Sequence, residues 1–174
     1  YDIDADYSII VTTSDELPKV VKEIKKGTYS GLNVTLPFKQ KIINYLDKIV
    51  NDAEFTGSVN TLLLDQKKTL IGENTDVFGL QAAYLKEIDN NLKKDLIIGA
   101  GGVSPSVIFS VQKSGIKNIS ITNRTNEKCI FLKKKFTNLN IIPWEKLESE
   151  VQNFDIIINA TSLGLKNGED FKFN

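Results

Sequence analysis

Histidine is absent from this 174-residue sequence, and cysteine occurs once, at Cys129. Without histidine there is no Ser–His pair, no imidazole to bind a metal and no side chain that ordinarily titrates near neutral pH. A single thiol closes no internal disulfide and builds no thiolate zinc cluster. Such sparing use of cysteine reads as residence in a reducing cytoplasm. Proton transfer falls to lysine, tyrosine or a carboxylate, with lysine and a carboxylate the expected pair and no metal required. No apolar run reaches the length of a membrane span and no signal-peptide pattern opens the sequence, so a membrane is not an expected partner. Excess charge of either sign is missing too. The 22 basic residues balance 22 acidic ones, which argues against nucleic acid as a partner. Arginine is nearly absent: Arg124 is the only one among the basic residues. Against that lysine background it asks for a specific explanation.

What is present is an ordinary globular mixture, 41% hydrophobic and 25% charged, of a size that fits one domain or two small ones. The β-branched run from Tyr7 to Thr12 predicts a strand. Ser14 is placed to cap a helix carrying Leu17, Val20, Val21 and Ile24 at helical spacing, ended by Gly27. A short apolar segment, Gly31 to Leu36, stops at Pro37, and a second helical pattern follows through Ile42, Ile43 and Leu46. Val59 to Leu64 and Thr69 to Ile71 flank the polar turn Asp65 to Lys68 and predict a hairpin. Val77, Leu80, Tyr84 and Ile88 mark a helix from Thr75 to about Asn90.

Beyond the polar stretch Asn90 to Asp95 the texture changes. Strand and helix signals alternate: Leu96 to Ile98, Val103 to Ser114, Asn118 to Thr122, Glu127 to Phe136, Ile141 and Ile142, then Phe154 to Asn159. That alternation predicts βαβ units and a parallel sheet. The expected architecture is α/β: an N-terminal α/β domain over residues 1–74, a connecting helix and linker over 75–92, and a Rossmann-type doubly wound domain over 93–174.

Leu96-Ile-Ile-Gly-Ala-Gly-Gly-Val-Ser104 reads as a buried strand entering a glycine-rich turn and then a helix. Gly99 and Gly101 permit the tight turn and close approach of backbone to a pyrophosphate, which the helix N-terminus then holds. Ser104 occupies the third small position, and Pro105 falls in the first helical turn, where its missing N–H costs little. The next strand ends at Thr122. A chain built for NAD places Asp or Glu there for the ribose 2′-hydroxyl, whereas this one has Asn123-Arg124-Thr125. A guanidinium clamps a 2′-phosphate where a carboxylate would repel it, so the expected cofactor is NADP. Lys128, one helical turn on, adds a second charge to that clamp or is simply solvated. Cys129 reads as core, and Lys133-Lys134-Lys135 as a solvated helix face.

In the first half, Asn33-Val-Thr-Leu-Pro-Phe-Lys39, Gly57-Ser-Val-Asn60-Thr61 and Glu73-Asn74-Thr75-Asp76 put polar side chains beside apolar strand or helix ends, where they can project into a cleft. Capping accounts for each of them singly, and Asp76 at a helix start is a favourable placement in its own right. Lys39 is less easily explained. It follows Pro37 in the expected first turn of a helix, where the positive end of the dipole opposes an ammonium. A lysine placed against that field suits a proton-transfer role, and a carboxylate such as Asp76 would orient it.

Gly31-Leu-Asn-Val-Thr-Leu-Pro-Phe-Lys39, Gly57-Ser-Val-Asn-Thr61, Asn74-Thr-Asp76 with Gly79, Gly99-Ala-Gly-Gly102, Asn123-Arg-Thr125 and Asn159-Ala-Thr-Ser-Leu-Gly164 together resemble the shikimate dehydrogenase family, in order and with similar gaps. The resemblance spans Gly31 to Gly164. It implies reversible reduction of 3-dehydroshikimate to shikimate with NADPH, in the pathway to chorismate and the aromatic amino acids. Residues matching Lys39 and Asp76 form the family's catalytic pair. Those matching Asn60 and Asp76 bind the substrate hydroxyls, with Asn33 and Thr35 near the same pocket. Gly99, Ala100, Gly101, Gly102 and Val103 fall at the pyrophosphate, Asn123, Arg124 and Thr125 at the 2′-phosphate, and Asn159, Ala160, Thr161 and Ser162 along the cofactor cleft. A homodimer is the analogy the family offers.

Some features of the family are not matched. Its N-terminal strand, with a His-Ser-x-Ser-Pro segment that holds the substrate carboxylate, and its C-terminal segment, with a tyrosine and a glutamine near the substrate, lie outside this sequence, which reads as an incomplete chain. Ser58 stands for a usual alanine, Ser104-Pro105 alters the phosphate loop, and Leu165 replaces a common methionine. Two alternatives stay open at this stage: a relative that also oxidises quinate, and a catalytically silent module that senses NADP or partners another subunit. Keeping both Lys39 and Asp76 weighs against the silent module.

Overall fold

The computed structural model describes residues 4–87 and 94–164, which form two four-stranded sheets with helices packed on them. The first sheet runs β1 (Gly31–Asn33), β3 (Thr61–Leu64), β4 (Leu70–Glu73), β2 (Lys48–Ile49). The expected hairpin is present, with Leu62 opposite Gly72 and Leu64 opposite Leu70 in antiparallel register. Asp65 ties its turn, accepting from the N–H groups of Lys67 and Thr69 at 2.8 Å each. Helix α1 (Leu17–Lys25) lays Leu17, Val21 and Ile24 onto a core with Ile42, Ala53, Val59, Leu62 and Leu70. Burial of each large aliphatic side chain in that core is worth about 1.5–3 kcal/mol.

Several expectations for this half need correction. No strand forms over Tyr7 to Thr12: Tyr7, Ile9 and Val11 are 82%, 88% and 92% exposed, and among the described residues no ladder pairs with them. Composition alone does not make a strand, because its N–H and C=O groups need a neighbour. A groove of about 540 Å³ lies between this segment and β1. The start of the first helix is a 3₁₀ turn, Ser14–Glu16, preceded by Thr13. There Glu16 accepts from both the Thr13 N–H and hydroxyl, while Ser14 accepts from Lys41. The pattern through Ile42 makes a 3₁₀ helix, Lys41–Tyr45, rather than an α-helix. Lys39 lies in the turn before it. Two short elements, β2 and α2 (Asp52–Thr56), carry too few residues to show a period and were not expected.

Helix α3 (Asp76–Glu87) leads toward the second sheet. The expected helical positions Ile88 to Asn90 and the polar stretch up to residue 93 lie outside the described residues, as does Leu165, and nothing is described of the Tyr84 side chain. The second sheet is fully parallel, in the order β7 (Leu139–Ile141), β6 (Asn118–Thr122), β5 (Lys94–Ile98), β8 (Ile156–Asn159). Helices α4 (Ser104–Lys113) and α5 (Asn126–Lys135) cover one face around Ile97, Ile119 and Ile121. A stretch of 3₁₀ turns and α6 (Leu147–Glu150), unforeseen in the sequence, covers Leu96 and Ile98 on the other. The order reverses at β5: the chain steps outward through β6 and β7, then returns to place β8 on the opposite side. In open parallel sheets a ligand crevice opens beyond the carboxyl ends of the strands at such a switch point. Here those ends are Gly99 and Asn159.

Candidate active site

Lys39 and Asp76 meet. The lysine Nζ lies 2.7 Å from Asp76 Oδ2, and the two side chains are 12% and 25% exposed. Sheet geometry brings them together. The Lys39 carbonyl accepts from the Val59 N–H at 2.8 Å, which holds the turn against the end of β3, and Asp76 opens α3 just beyond β4. Asn60 completes the cluster: its Nδ2 donates to Asp76 Oδ1 at 2.8 Å and to Thr75 Oγ1 at 3.0 Å. Its Oδ1 accepts from the Thr75 N–H at 2.9 Å and the Thr61 hydroxyl at 2.9 Å. Both oxygens of Asp76 thus face N–H donors. Asn33 and Thr35 are exposed and line the neighbouring groove, where the Tyr7 hydroxyl donates to Asn33 Oδ1 at 3.0 Å. That groove does not include Lys39, Asn60 or Asp76.

At the switch point the glycine loop is shaped for close approach. Gly99 has φ +113°, and a methyl added there would stand 2.7 Å from Thr161 Cγ2 and 2.8 Å from the Ala160 carbonyl. Only glycine fits that position without strain. Ala100 donates its N–H to Asn123 Oδ1 at 3.2 Å, which joins the loop to the end of β6. Ser104 buttresses the turn from beneath: its fully buried hydroxyl donates to the Gly99 carbonyl at 3.0 Å and accepts from the Gly101 N–H at 2.9 Å. The altered third position of the motif therefore supplies loop rigidity, a role the spacing alone did not reveal. Gly102 and Val103 lead into α4 and are half-buried.

Opposite them, Asn159 Oδ1 accepts from the N–H and hydroxyl of Thr161 at 2.9 and 2.7 Å, and its Nδ2 donates to the Leu163 carbonyl at 3.0 Å. Ala160 is buried beneath Gly99, while Ser162 is exposed. Arg124, Thr125 and Lys128 are exposed on the β6–α5 connection and the first turn of α5. Cys129 is buried, and burial pushes its thiol up to about 11, so it has the chemistry of a core residue. Lys133 and Lys134 are exposed, as the expected solvated face requires, and so is Lys135. Its ammonium lies 5.7 Å over the Phe136 ring, where a methyl on Gly57 would also meet it, and partial desolvation lowers its pKa below that of an ordinary lysine.

The sequence reading passed over the bonding roles of Thr61 and Thr75 on Asn60 and of Asn74 at the start of α3. All three stand inside the polar segments it singled out. Their role as supports shows only when the hairpin brings the segments together. Among the described residues no cluster of acidic or thiol side chains forms a metal site, and no helix is long and apolar enough to cross a membrane.

Residues 1–62 match the family described as shikimate dehydrogenase substrate binding domain, and residues 82–165 match shikimate / quinate 5-dehydrogenase. The shikimate dehydrogenase (NADP(+)) of Pelagibacter ubique is 41% identical over 100% of this chain and 64% of its own length. Among solved structures, shikimate dehydrogenase from Aquifex aeolicus superposes with a TM-score of 0.84 at 35% identity, covering 94% of this chain and 60% of that one. The Thermus thermophilus enzyme, solved in complex with NADP(H) and shikimate, gives 0.74 at 33% identity, covering 88% and 56%. The chain spans 58–64% of the length of the first curated relatives it matches.

Proposed function

The chain belongs to the shikimate dehydrogenase family, and from that premise we propose that the protein carrying it reversibly reduces 3-dehydroshikimate to shikimate with NADPH. The observation that carries the proposal is the half-buried Lys39–Asp76–Asn60 cluster. In this reading residues 1–74 bind substrate, 75–92 connect, and 93–174 hold NADP.

Bound NADPH supplies the hydride. The ammonium of Lys39 gives its proton to the oxygen of the substrate carbonyl as negative charge develops there, and it takes the proton back in the oxidative direction. Asp76 accepts from Lys39 and holds the amine at one angle, so the transfer needs little rearrangement. Asn60 fixes the carboxylate through its other oxygen and, with Asp76, meets the substrate hydroxyls. Asn33 and Thr35 line the approach. On the cofactor side, the Gly99–Val103 loop and the N-terminus of α4 favour a pyrophosphate. The Asn159–Ser162 turn walls the cleft, and Arg124, with Asn123 and Thr125 beside it, takes the 2′-phosphate. By family analogy the reaction belongs to the route to chorismate and the aromatic amino acids, in a cytoplasmic homodimer.

The test is direct. The purified gene product is given shikimate with NADP, with NAD, or quinate with each cofactor, and nicotinamide absorbance is followed. Rapid reduction of NADP with shikimate is expected. No reduction with any pairing overturns the enzymatic reading, and quinate turned over as well as shikimate moves the protein to the broader-specificity branch.

A further inference from the structure

One face of α4 presents Ser106, Phe109, Ser110 and Lys113, spaced as neighbours on a helix. Each engages the first half of the chain. Asn74 Nδ2 donates to Ser106 Oγ at 2.8 Å, and the Ser110 hydroxyl donates to the Val77 carbonyl at 3.2 Å. Phe109 stacks on Phe55 with ring centroids 5.3 Å apart and planes within 8°, and Lys113 pairs with Asp52 at 3.3 Å. Just before the helix, the Ser58 hydroxyl donates to the Gly102 carbonyl of the glycine loop at 3.0 Å. Ser58, Ser106 and Ser110 are all at most 1% exposed, so these three hydroxyls make a buried polar seam, flanked by the more exposed Phe55–Phe109 and Lys113–Asp52 contacts.

Asn74 stands at its centre and is 3% exposed. Its Oδ1 accepts from the N–H groups of Asp76 at 3.0 Å and Val77 at 3.4 Å, which fixes the first turn of α3. Its Nδ2 donates to the Ser58 carbonyl at 2.7 Å, to Ser106 Oγ and to Thr56 Oγ1 at 3.2 Å. Both ends of the amide are engaged, so the group cannot turn without losing buried bonds. One side chain thus locates the backbone of Asp76 and, at its other end, grips the helix that follows the glycine loop.

We propose that Asn74 is a positioning residue, anchored by Ser58 and Ser106, that sets Asp76, and through it Lys39, at a fixed distance from the glycine-rich loop. The inference rests on the proposed function: hydride and proton must reach one carbonyl group from two halves of the chain, so the spacing of the halves is part of the reaction geometry. The seam carries that spacing through α4. Ser58 and Ser106 touch neither substrate nor cofactor and act through Asn74 and Gly102.

The test is the double variant Ser58→Ala/Ser106→Ala in the intact gene product, which cuts the hydroxyl links and leaves Asn74 and the catalytic cluster in place. Turnover with shikimate and NADP should fall about tenfold, within the roughly 100-fold that a misplacement of one ångström costs. Dissociation constants for NADP and shikimate, measured separately by titration, should stay within about twofold, since each half keeps its own contacts. The primary isotope effect with deuterated shikimate should rise as hydride transfer slows relative to product release. Amide exchange at Asp76 and Val77 should quicken. In an active enzyme, unchanged turnover overturns the inference. Unchanged exchange at those two amides overturns it whether or not the wild type turns over shikimate, so its failure is distinct from failure of the proposed function.

Discussion

Lys39 is held at both ends. Its carbonyl accepts from Val59, and its ammonium meets an Asp76 that Asn60 holds in turn. Arg124, the other cation on which the proposed reaction depends, is exposed on the connection between β6 and α5. The contrast suits the two tasks. Charge that develops during a reaction is best met by groups already fixed in place, because reorganising them would add to the barrier. A 2′-phosphate carries its charge before, during and after hydride transfer. The residue that recognises it contributes to binding and cofactor choice, and it needs reach and a planar fork more than rigidity. Damage at the first site should therefore appear in turnover and damage at the second in affinity.

The largest expected effect is at Lys39. Lys39→Ala should lower turnover about 10²–10⁴-fold, the usual worth of a positioned acid–base group, with NADPH binding almost unmoved in a direct titration. If turnover is unchanged, the site comparison breaks at its stronger end. Asp76→Asn should lie toward the lower end of that range, because the amide still accepts from Lys39 through its oxygen but no longer balances its charge. Since Asp76 is also proposed to bind substrate hydroxyls, its Michaelis constant should rise as turnover falls. A change in the Michaelis constant alone would make it a binding residue only.

Arg124→Ala shifts the readout to affinity. A charge-assisted hydrogen bond is worth roughly 1.5–3 kcal/mol, so NADP binding should weaken by about ten- to a few hundred-fold, with NAD binding steady. Calorimetric titration of both cofactors separates the cases. Equal losses for both would place Arg124 with the fold or the shared pyrophosphate, and the contrast with Lys39 would lose its basis. Arg124→Lys should recover only part of the loss, since an ammonium keeps the charge but not the fork.

The two halves were not equally legible in the sequence. From Lys94 to Lys135 the elements follow the expected order closely, because a parallel strand buried on both faces reads as an apolar run, and the glycines and Pro105 mark where it turns into a helix. In the first half strands of two to four residues leave no room for a period, and their pairing is decided by distant segments. Tyr7 to Thr12 has the composition of a strand without a ladder, and α2 has none of the signals of a longer helix. The polar residues of the site stood out because they interrupt apolar segments where turns alone would not need them. Their supports did not. Asn74 and Ser106 are 32 positions apart, and nothing local to either one announces that the packing of α3 on α4 brings them together.

The smallest effect, and the finest test of the contrast, is at Lys128. It is exposed in the first turn of α5, four residues beyond the exposed Arg124. An ammonium there opposes the positive end of the helix dipole. Removing it should leave thermal stability level or raise it by a few tenths of a kcal/mol, as the dipole effect at an exposed site allows. If Lys128 adds to the clamp, it does so as an exposed charge worth about 0.2–1 kcal/mol. Lys128→Ala should then weaken NADP by roughly 1.4- to 5-fold and leave NAD unmoved, and the difference should shrink in raised salt as the charge is screened. A tenfold or larger loss confined to NADP would make the 2′-phosphate site a two-cation clamp, with Arg124 only half of it. No loss at all, with stability raised, would mark Lys128 as a solvated lysine and leave recognition of the 2′-phosphate to the chain's single arginine.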